Sequence, residues 1–383
     1  MSTTENAYQE LAQIFRSRDS RILEIEILPP QVGPLLQDGC SIGITKKYLI
    51  QAFVTARCIF FEHMGSMPDL NAPRMKCPDA ITQDEASIAS EIILLFDCEH
   101  TTACNWRKRR LDALIKGQDL YSTDEVDRES LIHTLETERS LMTTYLCSPL
   151  HRHTKSPTLW QHRLWLLNRM AKLQRQSPKF QLPRTVVPQR QDPGRDMLGP
   201  AAKFQEMFQA ELAVVLRAGE LHPKNYYAFS YMRRLHVALT DALNEIEQRA
   251  DSSAQLASSI TEKSLDWCLA HPADISGWVF LLYLLESISH RETLLAIVNK
   301  AVEFGVHVRW EGESLWTFVH LATTTFDVVE TVRGQLCGRE ETTQTRLVTM
   351  DMLAQTAKSE SKESWKTWMA RAKACWSSVE TAA

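Results

Sequence analysis

Glycine is scarce in this chain, at 13 of 383 residues. Strand-rich folds spend glycine on their many tight turns, so the shortage argues against a sandwich or barrel. Cysteine offers no framework either. There are nine, an odd number, with no Cys-x-x-Cys pair, and several have apolar neighbours, as Cys58 has Ile59 and Phe60. They read as reduced core thiols of a cytoplasmic protein. Positive charge is not in excess: 43 Lys and Arg against 47 Asp and Glu leave a net charge of −4, so no global field draws the chain to nucleic acid. The longest apolar runs, such as Trp278–Leu285, are far too short for a membrane span. The N-terminus lacks the pattern of a signal peptide, and the final Thr381-Ala-Ala is not a prenylation box.

Catalytic signatures are missing as well. No Gly-x-Gly-x-x-Gly, Walker, His-Glu-x-x-His or Gly-x-Ser-x-Gly pattern occurs. Cys147, His151 and His153 form the one tight metal-like group, but no fourth ligand stands near and they read as exposed loop residues. Asp97, Glu99 and His100 have no nucleophile or oxyanion site beside them and read as a polar helix end. No catalytic residue, metal or cofactor is therefore assigned to this chain.

What the sequence does have is helical periodicity. Leu49, Phe53, Ala56 and Phe60 share a face, and so do Ile88, Ile92, Leu95 and Phe96 after a capping box at Thr82–Glu85. The spacing predicts further helices over Ser130–Tyr145, Thr158–Arg175, Pro200–Arg217, Asn225–Leu243, Ser259–Ala270 and Ser276–Ser289. Leu23–Leu28 is the best strand candidate. Ser66–Pro78 breaks the pattern, and Ser177–Pro200, with five prolines, reads as an exposed insertion loop. Near the C-terminus, Trp365 and Trp368 are spaced to share a helical face.

A short unit recurs five times. A bulky anchor is followed by apolar or basic residues three, four and seven positions on, which puts all of them on one helical face. The anchors are Cys104, Trp160, Phe229, Trp278 and Trp316. Arg107 and Arg163 follow three residues after the first two anchors, and Arg233 follows four after the third. Leu281 and Val319 stand at the arginine offset in the last two units. Large side chains wedged between stacked helical hairpins, with each arginine bonding carbonyl ends of a neighbouring helix, account for the pattern. They also account for the basic run Arg107–Arg110 without nucleic acid. Anchor spacings of 56, 69, 49 and 38 residues are uneven for a helix-pair array with a period near 34.

These units resemble the repeat of the protein prenyltransferase alpha-subunit family. Lys224-Asn225-Tyr226-Tyr227-Ala228-Phe229 is similar to its Lys-Asn-Tyr-His-Ala-Trp form, and Leu159-Trp160-Gln161-His162-Arg163 to its Val-Trp-His-His-Arg form. Residues 102–108 and 276–282 are closest to a divergent branch of the family. The resemblance covers about residues 80–325 of a single domain, 1–383. It implies an all-α fold, a right-handed superhelical solenoid of helical hairpins that wraps a separate beta subunit. The zinc ion would belong to that partner, which joins a farnesyl or geranylgeranyl group to a protein's C-terminal cysteine. The divergent branch implies pairing with the beta subunit of Rab geranylgeranyltransferase. By the same resemblance Lys224 and Tyr226, following Pro223, would reach the isoprenoid diphosphate. Cys104 stands where the family has tryptophan. The rival reading is a general helical-repeat scaffold with no part in prenylation.

Overall fold

The structure, a computed structural model, describes residues 3–65, 82–117, 125–176, 199–247, 251–288, 290–337 and 364–380. Where the sequence suggests one repeat domain, the chain divides into two compact units, Met1–Ile246 and Glu247–Ala383.

The first unit opens with helix α1 (Thr3–Ser17), strands β1 (Glu24–Leu28), β2 (Leu35–Asp38) and β3 (Ser41–Thr45), and helix α2 (Lys46–Gly65). The strand candidate at Leu23–Leu28 is thus β1. It pairs in parallel with β3, which pairs antiparallel with β2. Neither β2, almost wholly exposed, nor β3, buried over four of its five residues, shows the alternation that announces a strand. The other edge of β1 is closed by helix side chains. The amides of Leu23 and Ile25 donate to Thr144 Oγ1 at 3.0 Å and Ser148 Oγ at 2.9 Å, so this edge presents no bare ladder.

Six helices follow: α3 (Gln83–Phe96), α4 (Thr101–Gly117), α5 (Glu125–Cys147), α6 (Pro157–Gln176), α7 (Pro200–Leu221) and α8 (Tyr226–Glu247). The capping box is present, with the Thr82 side chain accepting from the Glu85 amide and the Glu85 carboxylate from the Thr82 amide. Pro200 starts α7 at a position where its missing N–H costs nothing. These helices form three successive hairpins.

The second unit holds α9 (Ser252–Ala270), α10 (Ile275–Ser287), α11 (Arg291–His307), α12 (Glu313–Thr325), α13 (Val329–Cys337) and α14 (Trp365–Glu380). Two more hairpins, α9–α10 and α11–α12, lie here, and α13 and α14 pack on the second of them. Close packing inside a hairpin needs glycine at Gly305, where a Cβ would lie 2.9 Å from the Trp316 ring. On α14, Trp368 is fully buried beneath the Arg371 guanidinium, 5.0 Å from its ring centroid, while Trp365 is half-buried.

Outside the small sheet, the described residues are helical, and each of the five sequence units falls on the second helix of a hairpin. The loop expected at Ser66–Pro78 lies wholly outside the described residues, and that at Ser177–Pro200 does so except for Gly199 and Pro200. Among the described residues no helix is long and apolar enough to cross a membrane.

Candidate functional site

The repeat is more regular in its hydrogen bonds than in its residues. The N-cap of each second helix lies four residues before the anchor. In four units its side chain accepts from the amide one residue before the anchor: His100 Nδ1 from Ala103 at 3.1 Å, Ser156 Oγ from Leu159 at 3.1 Å, Asn225 Oδ1 from Ala228 at 3.2 Å and Asp274 Oδ1 from Gly277 at 3.4 Å. Gly312 takes the same place without a side chain. Each such cap satisfies an amide that the helix start would otherwise leave unbonded.

The anchors are all buried. The three tryptophans each donate the indole N–H to the carbonyl six residues earlier: Trp160 to Thr154 at 2.9 Å, Trp278 to Pro272 at 3.0 Å and Trp316 to Trp310 at 2.8 Å. Two of the rings lean on the next hairpin. Trp160 meets Tyr231 with centroids 5.0 Å apart, and Trp278 meets Phe318 at 4.9 Å. Both partners lie two residues past the following anchor. Successive hairpins are also pinned directly, since Ser156 Oγ donates to the Cys98 carbonyl and Asn225 Nδ2 to the Thr154 carbonyl, at 3.1 and 2.8 Å.

Arg107 and Arg163 are buried, and the expectation about their partners needs correcting. They do bond carbonyls, of Ser87 and Arg139 at 3.0 and 3.2 Å, but these lie inside helices rather than at their ends. The main partners are carboxylates. Arg107 grips Glu138 with Nε and Nη2 at 2.9 and 2.5 Å, and Arg163 grips Glu211 the same way at 2.6 and 2.8 Å. Each carboxylate takes a further bond from the helix after it, Glu138 from His162 Nε2 at 2.7 Å and Glu211 from the Tyr231 hydroxyl at 2.6 Å. Arg18 and Arg107 share Glu91.

Burial alone would raise the Glu138 and Glu211 carboxyls; the arginines and these side-chain bonds outweigh it and hold both below the usual range. A two-point grip plus a third bond from the following helix is what makes such burial tolerable. In the third unit Met232 fills the fully buried arginine position, and Arg233 is half-buried.

Sequence reasoning missed Glu91, Glu138 and Glu211. The signal was a lone glutamate in an apolar stretch, as in Ala210-Glu211-Leu212, which is informative only with a partner in view. It also mistook part of the Cys147, His151, His153 group. His153 is buried, with Nε2 at 3.0 Å from the Leu94 carbonyl, and the Cys147 thiol faces the Val214 carbonyl at 3.6 Å. Only His151 is exposed. The Asp97–His100 segment is structural: Asp97 caps α3, Glu99 accepts from Thr158, and His100 caps α4.

The turn before α8 gathers groups suited to an anion. Lys224 and Tyr226 are both exposed, on either side of buried Asn225. Lys224 adopts the left-handed conformation at φ 58°, which a non-glycine residue holds only when its surroundings dictate it. Here the two bonds of the Asn225 amide fix the turn. Tyr226 starts α8, at the positive end of the helix dipole. His222 stacks obliquely on His151, centroids 4.7 Å apart. Its imidazole is pushed down by desolvation and then by the nearby charge of Lys155 and by His151, which favours the neutral ring.

Residues 208–239 match the protein prenyltransferase alpha subunit repeat. They run from α7 through the Lys224–Tyr226 turn into α8, the third hairpin. The chain is also similar to protein prenyltransferase alpha subunit repeat-containing protein 1 of Danio rerio. Identity is 27% over 217 residues, which is 56% of this chain and 39% of that relative. The matched region thus spans well under half the length of the relative. The family resemblance read from the residues is supported by both comparisons, and the alpha-type repeat is the class of hairpin that the turn before α8 belongs to.

Proposed function

We propose that this chain is the non-catalytic alpha-type subunit of a heterodimeric protein prenyltransferase, acting in the cytoplasm. Its partner is a beta subunit that holds a zinc ion and transfers a geranylgeranyl or farnesyl group to a C-terminal cysteine of a substrate protein. The observation that carries the reading is the third hairpin: it matches the prenyltransferase alpha repeat and exposes Lys224 and Tyr226 together on a fixed turn. Diphosphate leaves as prenyl transfer proceeds, and its growing charge is met best by an ammonium and a phenol donor held in advance. In this reading Lys224 and Tyr226 supply those donors to the isoprenoid diphosphate.

Co-expression with prenyltransferase beta subunits tests the pairing. The expected outcome is a 1:1 complex on size exclusion that prenylates a cysteine-terminated substrate, while this chain alone does not. Lys224→Ala in the assembled pair is expected to lower turnover by about 10²-fold with assembly unchanged. If no beta subunit forms a complex, the reading fails and the plain helical-repeat scaffold takes its place.

A further inference from the structure

Helix α2 is apolar on two sides. One face is buried through Leu49, Ala52, Ala56 and Phe60, and Phe53 beside it stacks on Phe96 of α3 with centroids 4.2 Å apart. The opposite face holds a second apolar row. Ile50, Val54 and Phe61 expose 40, 51 and 40% of their surface. Cys58, whose apolar neighbours suggest a core thiol, is exposed in the same row. A helix at the surface of a unit ordinarily turns polar and charged residues outward, and a contiguous exposed apolar patch marks a contact surface.

The spacing of the row identifies what it contacts. Counted from Val54, Ile50 and Cys58 lie four residues before and after it, and Lys47 and Phe61 seven residues before and after it. At 3.6 residues per turn these five positions fall within about 80° of arc. The row therefore has the same spacing in both directions. A two-fold axis at Val54 lays a copy of α2 antiparallel against α2, so that Val54 meets Val54 of the copy, Ile50 shares a layer with Cys58, and Lys47 shares one with Phe61. Two identical surfaces must match themselves in this way, whereas a foreign helix imposes no such symmetry. Charge agrees with the same axis. Lys47 and Glu62, both exposed, stand seven residues before Val54 and eight after it. Each lysine is thereby brought beside the Glu62 carboxylate and the Phe61 ring of the other copy. A parallel copy would set like charges together instead.

We infer that the outer face of α2 is a self-association surface, on which a second copy of this chain lays its own α2 antiparallel about Val54. One helix pair covers less than the roughly 800 Å² per partner of a standard interface, so the dimer forms and dissociates with concentration. The inference does not rest on the prenyltransferase reading, and its test needs no beta subunit. The mass of the full chain is followed by sedimentation equilibrium over a concentration series. The native chain is expected to pass from monomer to dimer. Val54→Glu sets two carboxylates against each other at the axis and is expected to stay monomeric, with the fold intact because the position is exposed.

A second measurement separates this dimer from non-specific apolar association. Lys47→Glu sets carboxylate against carboxylate across the pair, and Glu62→Lys sets ammonium against ammonium. Each variant alone is expected to dimerise about tenfold more weakly than the native chain. Mixed in equal amounts, the two variants restore both opposite-charge pairs, and dimerisation is expected to return. A native chain that stays monomeric at every concentration, Val54→Glu that dimerises like the native chain, or a mixture no stronger than its components would overturn the surface.

Discussion

The two compact units solve the same packing problem with different chemistry. In the first, the position three residues past the anchor is arginine in two of three hairpins, and each guanidinium is locked onto a buried glutamate. In the second, Leu281 and Val319 stand there, both fully buried. Shared by both are the cap four residues before the anchor and, wherever the anchor is tryptophan, the indole bond to the carbonyl six residues back. The cap and the wedge are thus the constant elements of the hairpin, and the charge is a local replacement for apolar volume. Buried ion pairs add little net stability over well-packed apolar residues, but they are costly to break on one side.

The largest test of that contrast is Arg163→Ala, which strands Glu211 in the interior. It is expected to destabilise the first unit by about 3–5 kcal/mol, read by hydrogen exchange resolved along the chain, because two units need not unfold as one transition. An effect no greater than that of an ordinary surface substitution would mean that the pair is not desolvated as described. Next in size, the double variant Arg163→Leu/Glu211→Leu copies the apolar solution of the second unit. It should be more stable than the sum of its single variants predicts, by a coupling of about 1–3 kcal/mol. Strict additivity would show that the two side chains act independently.

Acid should also separate the charged interior from its surroundings. Burial pushes the imidazoles of His162 and His153 below their usual 6.5. The unfolded chain therefore takes up protons that these folded sites refuse, and the first unit loses stability as the pH falls below about 6.5. Below about 4.5 the depressed carboxyls of Glu138 and Glu211 add a second loss of the same sign. Urea melts at pH 7.5, 6.5 and 5.5 should show the first decline, and His162→Gln should flatten it. The smallest effect is expected from Asn225→Ala, about 2 kcal/mol for a lost cap and a lost buried bond to the Thr154 carbonyl. It also frees the Lys224 turn, so in an assembled enzyme turnover should fall further than the stability change explains.

Much of the architecture was legible from residue spacing. Helical periodicity located the hairpin helices except α11 (Arg291–His307), and the capping box fixed the start of α3. The five anchors marked the second helix of every hairpin even where Cys104 or Phe229 replaced tryptophan. The remainder was hidden for physical reasons. Of the three short strands only β1 stood out, because neither β2, almost wholly exposed, nor β3, with four of its five residues buried, alternates. A glutamate such as Glu138 reads as a solvated charge until its partner, 31 residues away in sequence at Arg107, is seen across the interior. His153 belonged to an apparent metal-like triplet because only tertiary packing turns it toward the Leu94 carbonyl. Arg233 and Met232 are neighbours in sequence, and which of them faces inward depends on a one-residue rotation of α8 that spacing alone does not resolve.

The Thr154 carbonyl accepts two hydrogen bonds, one from the Trp160 indole in its own hairpin and one from the Asn225 amide in the next. Both of its lone pairs are committed, so a single backbone oxygen acts as a rivet between consecutive hairpins. The rivet sets the register of α8 against α6 without reference to the chain that connects them. Evolution is then free to lengthen or shorten that connection, and the array tolerates spacings that a strictly periodic solenoid would reject.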